Sequence, residues 1–256
     1  MKYDSYIPCE QLRPYVQTLV ISELDESGSY KVLPNTALVI GFQYRGKLSY
    51  ILQEKEHELS SSGLTGLNDS FRIFKNSAGI GTVLVFFKET GATAFFKVPL
   101  NELFRESISL ENFALRSELL ILEEKLCAAK RDTEKITVVE DFLISRLRKV
   151  EPDPLVLQAI AIFYQERGNI RISDLIRQLH TSLSPFEKRF RSAVGASPKK
   201  FASIVRMKHA IHQFDPSRPL SELAYEGGFY DQSHFIKEFR TFTGNIPEEY
   251  FKKTAK

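Results

Sequence analysis

The chain has 256 residues, 43% apolar, 26% charged and 12% aromatic, with 20 Phe, no Trp, two Cys and a formal net charge of +3. That length suits one large or two modest domains with a core that needs no staple, and the composition excludes disordered, collagen-like and disulfide-scaffold classes. The opening MKYDSYIPCEQL lacks the pattern of a signal peptide, and the longest apolar runs fall far short of the roughly 18 residues of a membrane span. The expected location is cytoplasmic, with no membrane partner and with Cys9 and Cys127 reduced.

From about Tyr15 to Pro99, β-branched and aromatic runs alternate with glycine-rich turns. Strands are expected at Val16 to Ser22, Ala37 to Tyr44, Leu48 to Gln53, Phe71 to Lys75, Thr82 to Lys88 and Ala92 to Val98. Such a set suggests a small sandwich or barrel, cupin-like in outline. Its aromatics Phe42, Tyr44, Phe86 and Phe95 either line a ligand site or fill the core.

After Pro99 the apolar period lengthens. Leu115, Leu119, Leu122 and Leu126, then Ile136, Val139, Phe142 or Leu143 and Leu147, recur at helical spacing, with Thr133 as N-cap of the second run. An antiparallel helix pair is expected, packed on the sheet or against another subunit.

A seam at Glu151-Pro152-Asp153-Pro154 marks the expected domain border. Residues 1–151 would form one domain, β-rich over 1–99 and helical over 100–151, and residues 152–256 another. Charge divides there too: 19 Lys and Arg against 21 Asp and Glu up to Pro152, but 16 against 11 from Asp153. Within Ser184 to Lys208, seven basic residues face the single acid Glu187.

The second part repeats itself. Phe190, Arg191, Gly195, Pro198 and Phe201 match Phe239, Arg240, Gly244, Pro247 and Tyr250 at a constant offset of 49, and Ile172-Ser-Asp-Leu175 matches Leu220-Ser-Glu-Leu223 at 48. Each copy reads as helix, tight turn, helix. Ser173 and Ser221 suit the N-caps of the first helices, and Ser182 and Asp231 those of the second, with Ser184-Pro185-Phe186-Glu187 as a rival start. Between the copies, Ser197-Pro198 opens a helix that ends near Phe214-Asp215-Pro216, about 27 Å long for eighteen residues. The fold class is therefore α+β: a small sheet domain with a helix pair, then an all-α domain of two helix-turn-helix units on a long connecting helix.

Two such units on one rod suit successive major grooves of a duplex, which lie about 34 Å apart, and the basic excess suits phosphates. Helix geometry turns Phe186, Phe190, Phe235 and Phe239 inward. It presents Ser184, Glu187 and Lys188 from the first copy, and Gln232, Ser233, Ile236 and Lys237 from the second, as base readers. Arg191, Arg240, Lys199 and Lys200, with Ser173 and Ser221 at the helix starts and His234, are candidate phosphate contacts.

The stretch Ala224-Tyr-Glu-Gly227-Gly228-Phe229-Tyr-Asp231-Gln-Ser233-His234-Phe235-Ile-Lys237-Glu-Phe239-Arg240, then Thr243-Gly244-Asn-Ile-Pro247-Glu-Glu-Tyr250, resembles the signature of AraC-type transcriptional regulators. The resemblance spans about Asp153 to Lys253. It implies a bacterial-type, one-chain tandem helix-turn-helix domain that binds promoter DNA, usually to activate transcription. Copy one departs from the pattern at Ile176, where Ala is common, and at His180, where the turn usually has Gly. Val32-Leu33-Pro34-Asn35 and the run Phe95 to Leu103 weakly resemble the N-terminal domain of a subset of these proteins, which implies a small-molecule sensor, a dimerisation unit or both. Expected partners are double-stranded DNA and RNA polymerase, with a small-molecule effector and a second copy as further candidates.

No enzymatic activity, cofactor or metal is expected. The first part has the single histidine His57, His209 and His212 stand three apart with no third ligand in view, and no phosphate loop or nucleophile elbow occurs. The competing class is a ligand carrier or interaction module whose helical domain has lost specific DNA binding.

Overall fold

The structure, a computed structural model, describes residues 1–215 and 217–254. Pro216, where the connecting helix is expected to end, and residues 255–256 of the expected second domain lie outside the described residues. The strands are β1 (Lys2–Tyr6), β2 (Val16–Leu24), β3 (Gly28–Val32), β4 (Val39–Arg45), β5 (Leu48–Leu52), β6 (Lys55–Glu58), β7 (Ser62–Thr65), β8 (Arg72–Asn76), β9 (Ile80–Phe87) and β10 (Ser107–Ser109). Helices α1 (Arg116–Ala128) and α2 (Asp132–Arg146) precede α3 (Pro154–Gln165), α4 (Ile172–Gln178), α5 (Leu183–Val194), α6 (Pro198–His212), α7 (Leu220–Glu226), α8 (Gln232–Thr243) and α9 (Pro247–Thr254).

Two antiparallel sheets form, in the orders β1-β2-β9-β4-β7-β10 and β3-β8-β5-β6. They face each other across a cavity of about 550 Å3, lined among others by Tyr30, Val32, Phe74, Leu64, Leu84 and Phe86. Strand alternation assigns the faces. On β4, Val39, Gly41 and Gln43 line the cavity, while Ile40, Phe42 and Tyr44 are buried on the other side. On β9, Thr82, Leu84 and Phe86 line it, while Val83, Val85 and Phe87 are buried behind.

This decides between the two roles open to the aromatics. Only Phe86 of the four lines the cavity. Phe42 meets Phe142 of α2 edge-on at 5.7 Å, Tyr44 donates its hydroxyl to Glu23 at 2.6 Å, and Phe95 packs edge-on against Tyr15 at 6.0 Å. The expected strand Ala92 to Val98 is also absent. A 3-10 helix, Gly91–Ala94, stands there, and the guanidinium of Arg148 donates to the carbonyls of Thr93 at 2.6 Å and Phe96 at 2.7 Å, so these groups need no sheet partner.

The helix pair packs on the six-stranded sheet through Leu119, Leu122 and Leu126 of α1 and Ile136, Val139 and Leu143 of α2. Its starts differ from expectation. Leu115 lies outside α1 and is 69% exposed, and Arg131 rather than Thr133 holds the N-cap position of α2. There Glu134 accepts from the N–H groups of Lys130 and Arg131, and these donors with the Arg131 guanidinium hold its carboxyl at about 2.

The apolar core runs on from the sheet and helix pair into α3, α4, α5 and the first half of α6. Phe163, Phe190 and Phe201 meet with centroids 5.5 to 5.8 Å apart, and each is fully buried. A second, smaller core of Ile204, Met207, Ala210, Leu223, Ala224, Phe229, Phe235, Phe239 and Phe242 holds α7 and α8 to the second half of α6.

Asp153 ties the start of α3 in two ways. It caps the helix by accepting from the N–H groups of Leu155 and Val156, and it accepts both donors of Arg189 at 2.7 Å. The Arg189 guanidinium, helped by those backbone donors, holds its carboxyl below the usual range. A depressed carboxylate contributes stability above its unfolded pKa and loses it as pH falls through the folded value. Asp153→Ala should therefore lower stability by about 1 kcal/mol at neutral pH. Asp153→Asn, which can still cap, should cost less and flatten the acid limb below about pH 4; thermal melts at pH 7 and pH 3 measure both.

Candidate nucleic-acid interface

The repeat in the sequence is a repeat in geometry. Ser182 and Asp231 occupy the N-cap positions of α5 and α8, and Asp231 accepts from the His234 N–H at 2.7 Å. Both helices end on a left-handed glycine, Gly195 at φ 95° and Gly244 at φ 73°, the position where a missing Cβ removes the steric penalty. Ser197 then caps α6, accepting from the Lys200 N–H, with Pro198 in its first turn. α6 has 15 residues, about 22 Å, shorter than the rod expected.

Two capping expectations fail. Ser173 and Ser221 are the second residues of α4 and α7, and Arg171 and Pro219 hold the N-cap positions. Both serines remain exposed in the first helical turn.

The turns within each unit also correspond. Gly228 has φ 69°, and His180, its counterpart, adopts φ 48°. Copy one thus makes the same left-handed turn without glycine, at a steric cost. A Cβ at Gly228 would collide with the side chain of Asn169.

On α5, Phe186, Phe190 and Val194 are buried. Ser184, Lys188 and Arg191 stand exposed on the opposite side, and Glu187 is half-buried with a carboxylate oxygen 3.8 Å from Arg191. These four share one concavity with Leu183 and with Asn101. On α8, Phe235, Phe239 and Phe242 are buried, while Gln232, Ser233, Lys237 and Arg240 are exposed. Ser233, Lys237 and Arg240 border a shallow hollow with Ile236, Thr241 and Ile246. Ile236 is half-buried, packed against the second core.

The candidate phosphate contacts fall into two groups. Lys199, Arg191 and Arg240 are exposed. Lys200 is paired with Asp69 of the sheet domain, and Arg105 shares that carboxylate at 2.6 Å. Burial pushes the Asp69 carboxyl up, but the hydrogen bonds from Lys200 and Arg105 outweigh it and hold the group low. His234 is half-buried, its Nε2 3.2 Å from Glu238, which in turn pairs with Arg206 of α6 at 2.8 Å. Among the described residues no group of three or more His, Cys, Asp or Glu gathers as metal ligands.

Sequence reasoning missed several contacts. Lys31, on the cavity rim, donates to the Gly244 carbonyl and to Asn245 Oδ1, both at 2.8 Å, and Lys208 donates to Asn35 at 3.1 Å. Leu33, also lining the cavity, packs on the second core. Tyr225 and Tyr230, either side of the second turn, are 85% and 93% exposed. Contacts between residues some 170 to 210 positions apart leave no local signal.

Two exposed second helices, each on its own aromatic base and joined by a continuous helix, define a tandem helix-turn-helix protein. Residues 175–253 match the helix-turn-helix domain family, and residues 4–109 match a domain of unknown function (DUF6597). The chain is 26% identical over 157 residues to the Msm operon regulatory protein of Streptococcus mutans, covering 60% of this chain and 56% of that one. It is 35% identical over 75 residues to the ornithine utilization regulator of Pseudomonas aeruginosa, covering 29% and 22%. The chain therefore spans about half or less of the length of these curated relatives. An apo structure of ToxT from Vibrio cholerae shares the fold at a TM-score of 0.50 and 14% identity, over 91% of this chain and 96% of that one. The C-terminal part is a helix-turn-helix domain.

The two turns make a matched test. Gly228→Ala should destabilise the protein by about 1 to 2 kcal/mol, while His180→Gly should be neutral or stabilise it by about 1 kcal/mol. Denaturant titration of both variants reads the difference in sign.

Proposed function

We propose that this chain is a sequence-specific, promoter-binding transcription regulator. α5 and α8 enter successive major grooves of double-stranded DNA, with transcriptional activation through RNA polymerase as the outcome. The observation that carries the reading is the pair of equivalent helices α5 and α8, each buried on its phenylalanine face and polar on the other. Ser184, Glu187 and Lys188, with Gln232, Ser233, Ile236 and Lys237, are the assigned base readers. Lys199, Arg191 and Arg240 are assigned to phosphates, as are Ser173 and Ser221, which sit in the first turns of α4 and α7 where N–H groups favour anions. Lys200 and His234 would first have to leave Asp69 and Glu238.

In this reading residues 1–151 are the sensing and dimerising domain and residues 152–256 the DNA-binding domain of a cytoplasmic, non-enzymatic protein. The largely apolar cavity between the sheets is the effector site. Of its lining residues, Lys31 and Leu33 touch the second helical unit and Asn35 touches Lys208 of α6, so an occupant could bias how that unit is held.

Selection of bound duplexes from a random library by the full chain tests this. Two enriched blocks about one helical turn apart are expected; no enrichment at any salt would favour the carrier reading. On the selected duplex, Gln232→Ala and Lys237→Ala should relax preference at one base step each and cost about 1 to 3 kcal/mol, whereas Lys199→Ala should weaken all sequences alike and reduce the salt slope by about one. Equal, sequence-blind losses from all three would remove Gln232 and Lys237 as base readers.

A further inference from the structure

We infer that the sheet domain itself contributes to the DNA interface: Asn101 donates its side-chain amide to a phosphate flanking the groove entered by α5, next to Arg191. The inference rests on the DNA-binding reading above and adds to it a contact from outside the helix-turn-helix units.

Three observations converge on Asn101. It borders the same concavity as Ser184, Glu187, Lys188 and Arg191, the polar side of α5, so a duplex seated on that helix meets Asn101 at its edge. It is also fixed in place. Asn101 belongs to the 3-10 helix Leu100–Leu103, whose Leu100 and Leu103 are buried in the same core as Phe186, Phe190 and Val194. A Cβ at Gly195, where α5 ends, would stand 3.2 Å from the Leu100 carbonyl oxygen, so the two segments are packed directly together. Finally, its main-chain carbonyl accepts from the Phe104 N–H at 3.3 Å, while its side-chain amide has no hydrogen bond among the described residues.

A half-buried amide with unused donors, sharing a concavity with Lys188 and Arg191, is suited to a phosphate oxygen, because phosphate contacts come from Asn side chains as well as from Arg and Lys. Arg191 is available at the same spot, since its Glu187 neighbour at 3.8 Å lies beyond hydrogen-bond distance. The two differ in physics. Arg191 displaces a counterion on binding and so contributes to the salt dependence, whereas a neutral amide adds affinity without adding to the slope.

The experiment measures binding of the full chain to the library-selected duplex and to an unrelated duplex of equal length, by fluorescence anisotropy across a salt series. Asn101→Ala should weaken both duplexes about fivefold with the salt slope unchanged, and Arg191→Ala should weaken both and lower the slope by about one. Asn101→Asp, which places a charge against the phosphate, should weaken both at least about tenfold. Gln17→Glu on β2 adds the same charge elsewhere and should change binding less than about twofold. Thermal midpoints of all variants separate loss of contact from loss of fold, and Asn101→Ser serves if Asn101→Ala is unstable. Binding of Asn101→Ala as tight as wild type or tighter, or equal effects of Asn101→Asp and Gln17→Glu, would overturn the contact while leaving the DNA-binding reading intact. A wild-type chain that binds no duplex would remove both.

Discussion

The mutual burial of Phe163, Phe186, Phe190 and Phe201 governs the arrangement of everything around them. These rings bring α3, α5 and α6 together and join them to the same apolar mass that supports the six-stranded sheet and its helix pair. Burying a side chain of this size contributes about 1.5 to 3 kcal/mol, so the first helical unit cannot shift against the sheet domain without losing several such terms. The polar face of α5 is presented from a fixed platform, and the Asn101 edge comes with it.

The second unit is held differently. Its core is separate and smaller, and its contacts with the sheet domain include Lys31 to Gly244 and Asn245, the Phe71 ring against Gly244, and Leu33 against the second core, with Lys208 of α6 bonded to Asn35. The polar ones are individually worth little and reorganise readily. Three of the residues that make these contacts, Lys31, Leu33 and Asn35, also line the cavity between the sheets. A body anchored through such contacts to the rim of a cavity is a natural element for a small molecule to bias, and in the proposed function it is the second reader, α8, that would respond.

How much of this the sequence showed depends on whether a feature is local. The repeat, its caps at Ser182 and Asp231 and its closing glycines were legible because helix ends demand particular residues at fixed spacing. The turn in copy one was harder, since His180 adopts a conformation that Gly228 advertises openly. β5 was legible as the strand expected at Leu48 to Gln53, but the turn into β6 was not: Gln53 and Glu54 both take positive φ between the paired Leu52 and Lys55, a turn that Asn-Gly usually marks. Which face of β4 would carry Phe42 and Tyr44 was a matter of register, and a shift of one residue exchanges cavity for core. Asn101 and the Asp69 clasp on Lys200 were out of reach, being fixed by the packing of distant segments.

The four-stranded sheet has two free edges, and they are protected to different degrees. β6, Lys-Glu-His-Glu, is fully exposed and charged, with Glu58 paired to Lys47 and Glu56 to Lys75, a poor template for another strand. β3, Gly-Ser-Tyr-Lys-Val, carries a single charge, Lys31, and that side chain is engaged by the end of α8. β3 is nonetheless exposed along its whole length, the second helix-turn-helix unit meeting it through this one side chain. An exposed edge strand with one charge is a ready template for pairing, so β3 is the place where a strand of another molecule would add to this sheet.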